Sequence, residues 1–199
     1  MKIGIIGSGN IGLAFAKQAA KAGYEVLISN SRGPESLAEA VNSLNGNAKA
    51  VTVAEAALAD VVFLSLPWKY MEAVTTAITT WEGRTVIDPS NPIIMPGFTI
   101  AELGGKPSSE VVSGWVKGAN VVKAFNTYTP QVLEADPNVD GGRRVIFYSG
   151  NHNQSKETVA DIIKTMGFAG IELGTLQGGG MMQQFPGGPL AGQNLVKVS

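Results

Sequence analysis

The sequence predicts an α/β protein of the Rossmann type, a doubly wound, mainly parallel sheet with a small C-terminal α/β extension. Three observations carry this. Apolar runs of strand length alternate with segments of helical period, the pattern of a parallel sheet covered by helices on both faces. The first apolar run, Lys2–Ile6, passes through the glycine-rich turn GSGNIG straight into a helical segment. A second strand, helix, strand unit follows late in the chain.

Taken in order, strands are expected over residues 3–6, 25–29, 50–52, 61–65, 85–88, 121–124, 144–148 and 170–172. A helix over 10–22 places Ile11, Ala14, Phe15, Ala19 and Ala22 on one face, and Gly23 suits the left-handed position that ends it. Val159, Ile162, Ile163 and Met166 repeat the i, i+3, i+4, i+7 spacing, with Gly167 as the stop. The stretch 178–192 (GGGMMQQFPGGPLAG) has no period and reads as loop. The expected division is a nucleotide-binding domain over 1–125 and a small α/β portion over 126–199, ending in the Gly/Pro-rich tail.

Composition excludes several functions. The 199 residues carry 15 Lys plus Arg against 16 Asp plus Glu, a net charge of −1, so neither a nucleic-acid footprint nor a polybasic membrane surface is expected. With no cysteine and one histidine, thiolate chemistry, iron–sulfur clusters and multi-histidine metal centres are ruled out. No apolar run is long enough to span a bilayer. Lys2 and the apolar stretch after it superficially resemble a secretory leader, but Ser8 and Asn10 interrupt it, so a cytoplasmic protein is expected.

The glycine turn explains those interruptions. In a dinucleotide site Gly7 permits the tight turn, Gly9 offers no side chain to block a pyrophosphate, and Gly12 lets helix and strand pack closely. Ser8 lies within the turn, and the backbone N–H groups around Asn10 and Ile11 face the anion at the positive end of the helix. At the end of the second strand, where NAD binders place a carboxylate for the ribose 2′-hydroxyl, this chain has Asn30, Ser31 and Arg32. A hydroxyl and a guanidinium suit a 2′-phosphate, so NADP is the expected cofactor. A solvated arginine in the turn announced by Gly33 and Pro34 is the other reading of Arg32.

Ligands in such sheets bind beyond the carboxyl ends of the strands. There the chain offers Leu66, Pro67 and Trp68, then Asn91 and Pro92 of PSNP, then Asn126 and Thr127. Asn91 and Asn126 can hydrogen-bond a ligand or serve turn geometry; neither is an acid or base near neutral pH, and no catalytic residue is assigned. The tyrosine-plus-lysine pair of short-chain dehydrogenases is missing, and His152 in GNHN reads as a surface turn residue. Hydride transfer between nicotinamide and a flavin-type ring needs no such proton donor, only two rings held at contact distance. The alternative is a non-catalytic NADP-binding regulator or sensor.

The ordered set GSGNIG, SNSR, LSLPW, VIDPSNP, VVKAFNT and FYSGN to LGTL, over roughly residues 1–176, resembles the family of NADP oxidoreductases dependent on the deazaflavin coenzyme F420. It also resembles the cytosolic reductase domain of six-transmembrane metalloreductases. The resemblance implies a Rossmann domain, NADP along Gly7 to Gly12 with its 2′-phosphate near Ser31 and Arg32, a flavin or coenzyme F420 as co-substrate, a small-molecule acceptor and a homodimer. Asn126 matches the metalloreductase domains, whereas deazaflavin reductases tend to carry histidine there.

Overall fold

The computed structural model describes every residue except Asn45, Thr80, Asp140 and Ser199. Its first half alternates β1 (Lys2–Ile6), α1 (Asn10–Lys21), β2 (Glu25–Ser29), a 3-10 turn (Pro34–Leu37), α2 (Ala38–Asn42), β3 (Ala48–Ala50), α3 (Val53–Ala57), β4 (Val61–Leu64), α4 (Trp68–Thr76) and β5 (Thr85–Asp88). A hairpin of β6 (Ile93–Ile94) and β7 (Thr99–Ile100) follows, then α5 (Ser108–Trp115), β8 (Asn120–Ala124), α6 (Pro130–Glu134), β9 (Asn138–Val139), β10 (Gly142–Gly150), α7 (Asn153–Thr165), β11 (Ala169–Glu172), α8 (Gly179–Gln183) and β12 (Val196–Val198).

The main sheet runs β11-β10-β8-β5-β4-β1-β2-β3. From β3 to β8 every pairing is parallel. β10 then joins β8 antiparallel and β11 joins β10 parallel, so the late strand, helix, strand unit extends the same sheet. The strand order reverses between β1 and β4, which opens a crevice beyond their carboxyl ends.

The central strands are continuous apolar runs because both faces are covered; all four residues of β4 are buried. Phe15 of α1 stacks on Phe63 of β4 with ring centroids 3.8 Å apart, and Phe125 meets Phe15 edge-on at 5.1 Å. Emptying that site with Phe15→Ala costs about 3–5 kcal/mol. Gln18, buried on the same helix, donates to the carbonyls of Leu133 and Ala135, both at 2.9 Å, and so satisfies the end of α6. Gly23 and Gly167, at φ 89° and 90°, terminate α1 and α7 as expected.

Two elements differ from the sequence reading. The strand expected over 50–52 lies at Ala48–Ala50, because Thr52 caps α3: its hydroxyl accepts from Glu55 N while the Glu55 carboxylate accepts from Thr52 N. The tail expected to be loop contains α8, whose residues Gly179, Gly180 and Gln183 are buried against the sheet. No described helix is long and apolar enough to cross a membrane.

Candidate functional site

The three glycines of GSGNIG have three different surroundings. Gly7 adopts φ 107°, and a Cβ there would lie 2.0 Å from the Ser65 carbonyl oxygen. At Gly12 a Cβ would lie 2.2 Å from Gly7 O, so the helix could not come this close to the turn. Gly9, by contrast, has nothing within 4 Å of its Cβ position. It is the N-cap of α1, and no side chain caps the helix or places a carboxylate in its first turn. The first-turn N–H groups therefore keep their capacity to bind an anion. Asn10 is exposed beside them, and Ile11 packs on the core.

At the end of β2, Asn30 is fully engaged in shaping its loop. Its amide nitrogen donates to Ser8 Oγ (3.2 Å) and Ser36 Oγ (2.9 Å), while Oδ1 accepts from Arg32 N at 2.9 Å. This Asx turn ties the loop to the glycine turn and leaves Ser31 and Arg32 exposed. No carboxylate lines the cleft here: Glu35 lies beyond Pro34 within the 3-10 turn, with its carboxylate beside Gly33.

A cleft of about 590 Å³ joins these parts. Gly7, Ser8, Gly9, Asn30, Ser31, Arg32, Leu66 and Pro67 border it, and Val53, Tyr70, Ala73 and Val74 form an apolar wall. Such a wall suits a planar heteroaromatic ring beside a polar, cationic end. Arg32 also borders a second cleft, of about 630 Å³, between α1, α2 and α6.

Asn91, Pro92 and Asn126 are not walls of either cleft; they form a separate cluster beyond β5 and β8. Asn126 Nδ2 donates to Asn91 Oδ1 (3.0 Å) and to the Gln183 carbonyl (2.6 Å), and Asn91 Nδ2 donates to the Asn126 carbonyl at 3.0 Å. Phe185 N also donates to Asn91 Oδ1 at 3.0 Å, so the tail is latched onto the pair. Pro92 is buried, and its carbonyl accepts from Ala101 N at the foot of the β6–β7 hairpin. The preceding residue, Phe125, is buried at φ 65°, a left-handed conformation rare for an aromatic side chain, and it turns the chain at Asn126.

Beneath the asparagines lies a buried polar group. Lys123 is fully buried; its ammonium donates to Ser90 O (2.8 Å) and Ser108 Oγ (3.1 Å) and stands 3.9 Å from Asp88 Oδ2. Burial pushes its pKa below the ordinary lysine value, and Asp88 opposes that shift. Ser109 donates to the same Asp88 oxygen. Gln183 Nε2 reaches Lys123 O (3.2 Å) and Ser149 Oγ (2.8 Å).

Sequence reasoning did not find Ser36, Val53, Tyr70, Lys123 or Gln183. Tyr70 lies two residues after LSLPW and its position was a usable signal; nothing local marks Gln183, whose partners are 34 and 60 residues away. His152 is exposed and is the N-cap of α7, with Nδ1 accepting from Ser155 N at 3.4 Å, a surface position as expected.

Residues 2–92 match the family model for NADP oxidoreductase, coenzyme F420-dependent. The hypothetical protein SMa0349 from Sinorhizobium meliloti is 44% identical, with a TM-score of 0.93 over 99% of this chain and 96% of that one. A structure from Arthrobacter sp. FB24, provisionally named an F420-dependent NADP-reductase, is 27% identical with a TM-score of 0.77, covering 88% and 86% of the two chains. The rat metalloreductase STEAP3 is 27% identical over 93% of this chain but only 36% of its own length, so the chain spans about a third of that relative. A reductive aminase from Aspergillus terreus, at 21% identity and a TM-score of 0.62 over 89% of this chain and 56% of that one, shares the fold. With this ordered glycine turn, sheet and strand-end chemistry, the first half of the chain is similar to the NADP oxidoreductase, coenzyme F420-dependent family.

Proposed function

We propose that this protein binds NADPH in the 590 Å³ cleft and passes hydride from it to a flavin or deazaflavin-type acceptor. The observation that carries the reading is the open position at Gly9: a Cβ-free approach at an uncapped helix start, beside an exposed arginine and with no carboxylate. The first-turn N–H groups hold the pyrophosphate, Ser31 and Arg32 hold the 2′-phosphate, and Val53, Tyr70, Ala73 and Val74 cover the adenine. Leu66 and Pro67 border the path toward the acceptor end. NADPH supplies the hydride when bound. Asn126 Oδ1, buried and without a partner, is an acceptor suited to a carboxamide N–H, and Asn91 holds Asn126 in place. Neither side chain delivers a proton, which favours ring-to-ring hydride transfer over carbonyl reduction. We propose the working unit to be a cytoplasmic homodimer.

A second reading, NADP binding without turnover, has its own support in the tail latched over Asn91. Absorbance assays with FMN, FAD and coenzyme F420 separate the two. The expected result is NADPH oxidation with at least one ring acceptor, a primary isotope effect with deuterated NADPH, and none with simple aldehydes or ketones. Binding without oxidation by any ring acceptor selects the second reading. Reduction of small carbonyls, lost in His152→Ala, would overturn both. A sedimentation mass of 20.7 kDa would overturn the dimer.

A further inference from the structure

We infer that Lys123, balanced by Asp88, is a positioning residue that fixes Asn91 and Asn126 from beneath; this rests on the reading that those asparagines meet the nicotinamide end of NADPH. Lys123 is the one fully buried lysine among the described residues. A charge there is a costly way to fill a core, since pairs of this kind can be replaced by apolar residues with no loss of stability. Its contacts point to a different task. The ammonium grips the carbonyl of Ser90, the residue before Asn91, while Asp88 Oδ1 accepts from Ser90 N at 2.8 Å. The PSN turn is thus held at both its amide and its carbonyl by one ion pair.

The backbone at Lys123 reaches Asn126 by a second route, so the strand that buries the ammonium also carries the link to Asn126. The Lys123 carbonyl accepts from Gln183 Nε2, and the Gln183 carbonyl accepts from Asn126 Nδ2. The ammonium therefore acts on Asn91 through Ser90 and on Asn126 through Asn91, while the main chain at Lys123 holds Gln183 beside Asn126. Among the described residues the buried side-chain atoms without a partner are Ser90 Oγ, Asn126 Oδ1 and Gln183 Oε1, all on residues of this network. Three unsatisfied groups on one network call for a partner, and a polar ligand group arriving at the asparagines supplies one.

The test uses the full chain with NADPH and the most active ring acceptor, in Lys123→Met, Asp88→Asn/Lys123→Met and Gln183→Met. The double variant leaves no unpaired buried charge and so guards against failure of the single one to fold. Two readouts are taken: the split between NADPH affinity and kcat, and the fluorescence emission and anisotropy of bound NADPH, which report how the nicotinamide is held whether or not turnover occurs. The expected result is NADPH affinity within about threefold of the parent, a kcat lower by about ten- to a hundredfold, as a displaced reacting group gives, and loss of the bound-nicotinamide emission change. If the parent protein oxidises no NADPH yet the emission change is lost in the variants, the proposed reaction fails and the positioning role stands. Unchanged emission and kcat in folded variants, a parallel loss of NADPH affinity, no emission change in the parent, or failure of all three variants to fold would each overturn it.

Discussion

The two ends of the site are built in opposite ways. The glycine-turn end comes from residues within the first 74 positions, is open, and depends on what is missing: a Cβ at Gly9 and a carboxylate in the lining of the cleft. The asparagine end joins segments 57 and 94 residues apart and is filled with side-chain hydrogen bonds. On the proposed function, one end recognises by leaving room, and the other by holding a few polar atoms still. Substitutions at the first should therefore act on affinity, and those at the second on turnover.

The largest effect expected is at the glycines, where the contrast appears within one turn. Gly9→Val should abolish NADPH binding in a fluorescence titration while lowering the melting temperature by only about 2–4 °C, the cost of a poorer N-cap. Gly7→Val, at φ 107° and against the Ser65 carbonyl, should lose more than about 4 kcal/mol of stability in denaturant unfolding. If Gly9→Val binds normally, the phosphates lie elsewhere.

Arg32→Ala should weaken NADPH by about ten- to a hundredfold, the worth of a hydrogen bond to a charged group, and leave NADH unchanged. Equal affinity for the two nucleotides in the parent protein would remove the assigned role of Arg32. At the other end, Asn91→Ala frees Phe185 N and Asn126 Nδ2; kcat should fall about tenfold with NADPH affinity intact. A drop in affinity of the same size would erase the distinction between the two ends. Deleting everything after Gly178 would be a poor substitute, because it also removes β12 and the buried Gln183.

The smallest effect is on stability against pH. Lys123 has its pKa lowered in the folded protein, so between that value and the ordinary lysine value the unfolded chain holds a proton that the folded one has released. Stability from this group therefore rises with pH through that window, and the burial cost is complete below it. Tyr128 and Tyr148, both pushed up by burial, act oppositely but equally in parent and variant. Denaturant unfolding at alkaline pH should show the parent gaining on Asp88→Asn/Lys123→Met as pH rises; parallel curves would contradict a buried ammonium.

How much of this could be read in advance follows the same division. The strands from Lys2 to Asp88 other than β3, α1 with its Gly23 stop, and the tight turn at Gly7 to Gly12 are legible because each obeys a local rule of period, cap or turn. The capping box at Thr52 is equally local, and TVAE spells it. The asparagine cluster is not local: Asn91 and Asn126 stand out only as strand-end residues, and their partners Gln183 and Phe185 lie in a stretch without period. Lys123 gives no warning either, since a lysine inside an apolar strand becomes informative only when Asp88 is known to face it from the neighbouring strand.

The latch on Asn91 also sets the order in which the protein can become complete during its synthesis. The glycine turn, Arg32 and the wall through Val74 emerge early, and α1 completes its packing once Phe125 and Leu133 have followed. Phe185 must leave the ribosome before Asn91 has its full set of partners. A chain interrupted or clipped at the exposed Met181 and Met182 of α8 would thus keep the residues that line the cleft and lack the contact of Phe185 with Asn91. Under the proposed function, such fragments would sequester the dinucleotide without spending it.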